Sequence, residues 1–475
     1  RSEIPMIPAM VPLVTDRQVI VRTLERAVSI DRRSGELLWH SAIEDAALQR
    51  LAAAPGDESD PSGSRAAARF YEFLRQRGWA DLTAGTMSTD GELVYCLEEL
   101  ESIESLDAAD DVSRQRFQGA TVPTNKLVAM RLASGKIAWE VGGPVALHAL
   151  FESGSYFLGP PLPLGDELYC LVENGAEIRL VVLEARTGAR RWALSLTRTR
   201  RDLHWTPALK AVGISPAWAD GILICPTSDG TVVAVDPARR QLLWGFRYAP
   251  SAPSAVDGLR AFMRPRGRIL VRGRILGGRG ADADFPVPSI NDPDRWVDFV
   301  PIVVEGKVVL TLRASNDLVC LDLVDGTLAW SKPRESGLYV AAVSEGSVVV
   351  VSRDRVEAWR LSDGAPAWKE PLDVSLPSGR GCGSGRLYHL PLQTREVVTF
   401  DLRDGRILAR SKLPAGIRPG NLIAAGDAVI SQTPEAVVAF RGLAELQREI
   451  DDRLFRAPGD PAALAMRGEL RLHLG

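Results

Sequence analysis

The chain has 475 residues, of which 45% are hydrophobic and 25% charged, and its formal net charge is −3 at pH 7. These values are ordinary for a globular protein, and the near balance of charge gives no reason to expect nucleic acid or an anionic membrane surface as a partner. The longest apolar runs, such as residues 348–351, are far shorter than the roughly 20 residues that cross a bilayer, so no transmembrane segment is predicted in this chain.

One hairpin pattern recurs along the chain. A strand of apolar residues leads into a polar turn that contains glycine, and a tryptophan follows four residues after that glycine on the returning strand. Copies lie at residues 27–39, 126–139, 180–192, 230–244, 318–330, 356–368 and 397–409, and an eighth, at 436–442, breaks off before its second strand. The repeat residues are Gly35, Gly135, Gly188, Gly326, Gly364, Gly405, Trp39, Trp139, Trp192, Trp244, Trp330 and Trp368. Two copies depart from the pattern, with Arg240 in place of the glycine and Ala409 in place of the tryptophan.

Two further short strands precede the hairpin in several copies, for example at residues 215–227, 300–311 and 340–352. Four strands per unit with no helix between them predict antiparallel sheets rather than βαβ units. The predicted fold is therefore all-β, an eight-bladed β-propeller of four-stranded antiparallel blades over residues 1–442, with seven blades as the alternative. A sandwich or a solenoid of the same period is the less favoured reading.

Two expectations follow from this architecture. The repeat tryptophans should fill the space between neighbouring sheets. Because the eighth copy lacks its outer strand and an open edge needs cover, residues near the N-terminus should complete the last blade. The cysteines stand far apart, mostly in apolar runs, and are expected to be small buried hydrophobes: Cys96, Cys170, Cys225, Cys320 and Cys382.

The sequence VVAVDPARRQLLW at 232–244 resembles the repeat of the pyrroloquinoline-quinone (PQQ) dehydrogenases and of their non-catalytic relatives, the BamB-type propellers. The resemblance covers nearly all of residues 1–442 and is specific for the fold rather than for function. For an enzyme it would imply a calcium ion with oxygen ligands, a carboxylate base, aromatic platforms and, in one type, adjacent cysteines. No adjacent cysteines, CxxCH haem site or recognisable calcium-ligand set occur in the sequence. We therefore predict no enzyme activity, no cofactor and no catalytic or metal-binding residue.

Insertions lengthen several units. A helical insertion is predicted at about 41–88, an acidic loop at about 97–123 and a basic insertion rich in glycine and arginine at about 250–290. The arginines could bind phosphate groups, but the basic segment has no interleaved aromatic residues for base stacking, and a solvated or internally paired rim is favoured. The glycine-rich stretch at 379–386 lacks the Lys-Ser/Thr ending of a phosphate-binding loop and is predicted to be an inner strand and turn.

Residues 443–475 are predicted to be α-helical. One amphipathic segment covers 443–455, and a second opens at Asp460 and Pro461, with proline in the first turn. Leu464, Gly468 and Gly475 resemble the first helix of a tetratricopeptide repeat (TPR). Because one such helix cannot bury its own apolar face, the helical array is expected to continue beyond residue 475. The alternative is a lone helix that caps the propeller.

Polar and aromatic residues just before inner strands would face the mouth of the central channel; the candidates are Trp296, Asp298, Tyr339 and Arg380. The leading functional hypothesis is a non-catalytic scaffold or assembly factor that binds other proteins with its propeller faces and helical arm. By the same resemblance it would work in the cell envelope or periplasm. The alternatives are a degenerate PQQ-dependent dehydrogenase and the ligand-sensing propeller of a signalling protein.

Overall fold

The computed structural model of the chain contains eight antiparallel sheets that follow one another along the sequence, which confirms the predicted eight-bladed β-propeller. The structure describes residues 7–42, 77–99, 124–143, 152–199, 211–228, 230–248, 296–298, 300–311, 317–426 and 428–474. Most of the predicted insertion at 41–88, most of the acidic loop at 97–123 and all of the basic insertion at 250–290 lie outside the described residues.

Each of the first four blades is a contiguous stretch of chain, with its innermost strand first. Blade 1 contains β1 (Leu13–Val14), β2 (Gln18–Arg22), β3 (Ala27–Asp31) and β4 (Leu37–His40), and blade 2 contains β5 (Ser88–Thr89), β6 (Leu93–Glu99), β7 (Asn125–Arg131) and β8 (Ile137–Gly142). Blade 3 has five strands, β9 (Tyr156–Phe157), β10 (Leu162–Leu164), β11 (Glu167–Asn174), β12 (Glu177–Glu184) and β13 (Arg190–Arg198). Blade 4 contains β14 (Ala217–Ala219), β15 (Ile222–Pro226), β16 (Thr231–Asp236) and β17 (Gln241–Arg247).

The last four blades continue in the same order, and the final one is shorter. Blade 5 contains β18 (Ile302–Val304), β19 (Lys307–Thr311), β20 (Asp317–Asp322) and β21 (Leu328–Pro333), and blade 6 contains β22 (Gly337–Ser344), β23 (Ser347–Ser352), β24 (Arg355–Arg360) and β25 (Leu372–Asp373). Blade 7 contains β26 (Cys382–Ser384), β27 (Leu387–Leu392), β28 (Glu396–Asp401) and β29 (Ile407–Lys412). Blade 8 has three strands, β30 (Asn421–Ala425), β31 (Ala428–Gln432) and β32 (Val437–Arg441). Residues 379–386 thus contain an inner strand and its turn, as predicted.

The middle strands of the blades are continuous apolar runs rather than alternating ones. Both faces of an internal blade pack on neighbouring blades, so side chains on either side of the pleat are buried. In β16, Val232, Val233, Ala234 and Val235 are all at most 4% exposed. The five cysteines are buried and free within the described residues, which confirms their prediction as small core residues.

The repeat tryptophans lie between neighbouring blades. Trp330 of blade 5 packs on Gly364 of blade 6, where an added Cβ would lie 2.8 Å from the indole, and its Nε1 donates to the carbonyl of Leu361 at 2.8 Å. The same arrangement joins Trp39 to Gly135 and Leu132, Trp139 to Gly188 and Ala185, Trp244 to Gly326 and Leu323, and Trp368 to Gly405 and Leu402. Glycine is required there because φ is positive and a side chain would strike the ring. We call this arrangement tryptophan docking.

A modified version of tryptophan docking joins blades 3 and 4. Arg240 stands where the other turns have glycine, with φ of 56°. Its guanidinium lies over the Trp192 ring, 5.5 Å from the ring centroid. A cation–π contact therefore replaces the close approach of ring and glycine at this interface.

The interfaces of blade 8 with blades 7 and 1 lack tryptophan docking. Ala409 occupies the tryptophan position of blade 7, opposite Thr399, and blade 8 has no fourth strand within the described residues. The predicted completion of the last blade by residues near the N-terminus stays a prediction, because residues 1–6 lie outside the described ranges. The described N-terminal chain enters the ring at the innermost strand, and β1 to β4 form a complete blade of their own.

Apolar packing and polar side chains together hold blade 8 against blade 1, where Val19 and Val21 share a buried cluster with Ala425 and Ile430. Asn421 Nδ2 donates to the carbonyls of Pro8 and Met10 at 2.8 and 2.7 Å, and Gln432 Nε2 donates to the carbonyl of Arg22 at 2.6 Å. All three bonds satisfy backbone carbonyls in a buried region, where an unpaired group would be costly. Ring closure therefore combines an apolar interface with hydrogen bonds between residues about 410 positions apart in sequence.

Three helices are fully bounded in the described residues. Helix α1 (Leu82–Gly85) precedes blade 2, and α2 (Leu443–Arg456) and α3 (Pro461–Leu474) follow blade 8. The last two form a hairpin around Ile450, Leu454 and Ala463. Two packed helices agree with the helical prediction for this segment, but the finer resemblance to a tetratricopeptide repeat is not supported.

Candidate functional site

The connections between strands differ sharply at the two ends of the propeller. Consecutive strands are antiparallel, so successive connections emerge at opposite faces of the ring. On one face, which we call the turn face, the first strand joins the second and the third joins the fourth through short turns such as 305–306 and 323–327. On the other, the loop face, the remaining connections include the long ones, 41–87, 100–124 and 248–301.

Chain segments from different blades meet where the loop face crosses the axis of the ring. The amide of Ala9 donates to the carbonyl of Gly78 at 2.9 Å, and that of Leu82 donates to the carbonyl of Ala211 at 3.0 Å. Ala9 and Leu82 share an apolar cluster with Val212, Ile214 and Trp296. These packed segments therefore fill the channel mouth, which was predicted from the sequence to be lined by polar and aromatic groups.

The four channel-mouth candidates are brought together at this point. Trp296 is 2% exposed and packs on Gly337, where an added Cβ would lie 2.9 Å from the ring. Arg380 Nη1 lies 3.4 Å from Asp298 Oδ2, and the same side chain donates to the carbonyl of Val297. These contacts fix the segment 296–298 against the start of blade 7.

Tyr339 occupies a buried position beside this ion pair. Its hydroxyl donates to the carbonyl of Gly379 and accepts from the amide of Gly381, both at 3.2 Å. Burial raises the pKa of Tyr339 to about 12, so the phenol stays protonated at neutral pH. Tyr339 thus holds the glycine-rich strand of blade 7 in place.

A buried ion pair at the loop face was not predicted from the sequence. Arg22 and Glu98 form a bidentate pair with both N–O distances at 2.6 Å, and the Arg22 side chain is 2% exposed. Burial alone would raise the pKa of Glu98, but the charge and hydrogen bonds of Arg22 hold that pKa below its ordinary value. Cys96 lies 3.8 Å from Arg22 Nη1, and burial raises its thiol pKa to about 12. The available signal was a charged residue at or next to the end of the second strand in each of two adjacent blades.

The mouth does not fit a quinone held against calcium. Its described part offers two carboxylates, Asp298, which is paired with Arg380, and Asp81, which accepts from the amide of Ala84 at the start of α1. Across the described ranges, no three His, Cys, Asp or Glu side chains lie close enough together to hold a metal ion. Trp296 is packed into the core rather than presented as an open platform.

Eight radial blades, docked tryptophans and a collected set of long loops define a β-propeller of the quinoprotein class. A family model described as outer membrane protein assembly factor BamB matches residues 25–273, 200–370 and 296–448. The chain belongs to this family. None of the described helices is both long and apolar enough to cross a bilayer.

Two curated relatives carry the same description. The outer membrane protein assembly factor BamB of Moranella endobia is 25% identical over 327 residues, which span 66% of this chain and 66% of the relative. That of Yersinia pestis is 26% identical over 190 residues, spanning 36% of this chain and 46% of the relative. The quinohemoprotein alcohol dehydrogenase of Comamonas testosteroni superposes with a TM-score of 0.51 at 12% identity, over 92% of this chain and 72% of the enzyme. At that identity the likeness shows the fold alone.

Proposed function

We propose that this protein is a non-catalytic scaffold of the cell envelope that binds other proteins through its loop face and takes part in outer-membrane protein assembly. Membership in the family described as an outer membrane protein assembly factor supports the proposed process. The collection of the long connections on one face supports the proposed surface. The grouping of the long connections on the loop face is the main observation in support of the proposal.

The contrast between the two faces explains why the loop face is favoured. Turns on the turn face are a few residues long and vary little from blade to blade, so they offer little that is specific to one partner. Connections on the loop face differ in length and composition, and binding residues concentrate on such loops when a rigid scaffold positions them. The docked tryptophans provide that rigidity.

The ion pair of Arg380 and Asp298 has a positioning role in this proposal. By tying the segment 296–298 to blade 7, it anchors the end of the long connection that begins at residue 248. The packed mouth then supports the loops that extend from it, and the proposed binding of other proteins does not require a substrate to enter the channel. The alternative of a degenerate dehydrogenase has only the fold likeness in its favour.

Site-specific photocross-linking in cells tests the surface. A photoreactive residue replaces Glu25 or Ala176, which lie in loop-face connections, or Val324 or Asp220, which are exposed on the turn face. We expect the loop-face positions to cross-link to components of the outer-membrane protein assembly machinery and the turn-face positions not to do so. In the same cells, loss of the protein should lower the levels of outer-membrane proteins, and the wild-type gene should restore them.

Two outcomes would contradict the proposal. Equal cross-linking from both faces, or none from either with outer-membrane protein levels unchanged on deletion, would remove the loop face as the binding surface. Purified protein that binds PQQ with calcium and oxidises an alcohol would show that the propeller is an enzyme.

A further inference from the structure

One cavity of the turn face lies between blades 6 and 7. Its volume is about 110 Å³, several times the roughly 10–15 Å³ that admit one water molecule, so a group of several heavy atoms fits. Blade 6 lines it with the turn between its first two strands, and blade 7 lines it with that turn and the turn before its fourth strand. The lining residues all belong to the continuous described range 317–426 and are Ser344, Glu345, Ser347, Arg386, Leu402 and Arg403.

The blade 7 wall of the cavity presents two arginines that a buried carboxylate holds in place. Arg403 donates from Nε and Nη2 to the Asp401 carboxylate at 3.2 and 3.0 Å, and Arg386 Nε lies 3.4 Å from the same carboxylate. The Asp401 side chain is fully buried, whereas those of Arg386 and Arg403 are 56% and 47% exposed. One carboxylate cannot neutralise two guanidinium groups, and each guanidinium has more N–H donors than these contacts use. This wall therefore offers excess positive charge in a fixed geometry.

The blade 6 wall carries the opposite charge. Glu345 is exposed at the tip of its turn, with φ of 48°. Hydrogen bonding to Asp401 raises the pKa of Arg403, and the negative charge of Glu345 adds to that effect, so the two walls are close enough to interact electrostatically. Within the range 317–426, however, Glu345 forms no ion pair with either arginine. Two opposite charges thus face one cavity without pairing with each other.

The turn that contains Arg386 differs from the equivalent turns of the preceding blades. In blades 1 to 6, the turn between the first two strands carries an exposed carboxylate: Asp16, Asp90, Asp166, Asp220, Glu305 and Glu345. In blade 7, Gly385 and Arg386 form this turn. The positive charge of the cavity is therefore local and has acidic surroundings. Such a setting disfavours a simple anion and favours a ligand that carries both charges.

We propose that this cavity binds a small zwitterion, with its oxyanion on Arg386 and Arg403 and its ammonium group on Glu345. Guanidinium groups bind the oxygens of carboxylates and phosphates through paired hydrogen bonds, and an ammonium group donates to a carboxylate. This chemistry is shared by amino acids and by phosphate esters of amino alcohols. The site lies on the turn face and is independent of the proposed loop-face function.

Calorimetric titration of the purified protein tests the site with matched probes. Glycine and O-phosphoethanolamine are zwitterions, whereas acetate and inorganic phosphate carry only the corresponding oxyanion. We expect saturable binding of at least one zwitterion, with a Kd below about 5 mM, and binding of the matching oxyanion that is weaker by at least about tenfold. The comparison of glycine with O-phosphoethanolamine decides between a carboxylate and a phosphate group.

Variants of the two walls separate their roles. Arg386→Gln should weaken binding of the zwitterion by at least about tenfold, and Arg386→Lys, which keeps the charge but not the planar donor geometry, should weaken it less. Glu345→Gln should remove the preference for the zwitterion over its oxyanion, because the ammonium group loses its partner. Arg239→Gln is the matched control, since Arg239 also pairs with the aspartate that ends a third strand, Asp236, but lies in blade 4. Melting temperatures confirm that each variant is folded.

Several results would overturn the inference. These are no saturable binding of either zwitterion up to about 50 mM, equal binding by wild type and Arg386→Gln, or an equal loss of binding in Arg239→Gln. If acetate or inorganic phosphate binds as tightly as the zwitterion and Glu345→Gln strengthens that binding, the cavity is an oxyanion site and the zwitterion is wrong. The loop-face cross-links are expected whatever these titrations show, so the failure of one proposal leaves the other intact.

Discussion

Two arcs of the ring are held together by different means. From blade 1 to blade 7, every interface has a repeat tryptophan that covers a turn of the next blade. At the two interfaces of blade 8, the described residues place no indole in the outer part, because Ala409 stands at the tryptophan position of blade 7 and blade 8 has three described strands. Hydrogen bonds from Asn421 and Gln432 close the ring near its axis instead. The repeat tryptophans thus stabilise the outer rim, whereas the interface that closes the ring relies on apolar packing and on buried hydrogen bonds nearer the axis.

The largest difference is expected when a docked tryptophan is removed. Trp330→Ala empties a site that is 7% exposed and also breaks the hydrogen bond to Leu361. We expect the free energy of unfolding to fall by about 3–5 kcal/mol, as for other large aromatic side chains removed from a core. Denaturant melts measure it, and Trp218→Ala is the control, since that ring is 46% exposed and should matter by less than about 0.5 kcal/mol. Equal midpoints for Trp330→Ala and wild type would mean that the rim tryptophans do not stabilise the ring.

A smaller effect should distinguish Gly364, which lies against a docked tryptophan, from Gly35, which does not. Asparagine at Gly364 would place its Cβ 2.8 Å from the Trp330 ring, whereas at Gly35 it would meet nothing within 4 Å. Both positions have φ near 70°, so the backbone cost is similar and cancels in the comparison. We expect Gly364→Asn to destabilise the protein by about 1–3 kcal/mol through overpacking, and Gly35→Asn to change it by less than about 0.5 kcal/mol. Thermal melts that rank the two variants the other way would contradict the assignment of Gly35 as open.

The smallest effect concerns the polar part of a docked turn. Asp401 accepts hydrogen bonds from the side chain and the amide of Arg403, which hold its pKa at about 2. A carboxyl in the unfolded chain has a pKa of about 3.9, so this group stabilises the fold above about pH 4 and loses that contribution as the pH falls toward 2. Asp401→Asn should therefore flatten the loss of melting temperature between about pH 4 and 2, compared with the exposed Asp16→Asn. Parallel pH profiles for the two variants would show that Asp401 contributes nothing.

Much of the ring was visible in the sequence because each blade repeats its own local signals. A turn glycine and a tryptophan four residues later mark one hairpin, as Gly364 and Trp368 do in blade 6. The partner of each tryptophan was not visible, because Trp330 docks on the glycine of the following blade rather than on Gly326 of its own. Spacing within a repeat carries no information about which neighbour a side chain meets.

The end of the ring and the mouth were harder to predict for two reasons. The open edge of β32 was expected to be covered by residues near the N-terminus, since exposed edges are usually protected, but residues 1–6 lie outside the described ranges and this expectation stays a prediction. The pairing of Arg22 with Glu98 joins residues 76 positions apart, and only the radial arrangement brings their strands together. The channel-mouth residues were selected for their chemistry; their role as anchors in loop-face binding remains a prediction.

The contiguous order of strands within every described blade has a mechanical consequence. Among the strands that the structure describes, none crosses from the last blade into the first, so these strands do not tie the two ends of the ring together. A pulling force applied at the two ends of the chain acts directly on the contacts of Asn421 and Gln432 with blade 1. The interface between blades 8 and 1 would therefore separate before any interface that contains a docked tryptophan.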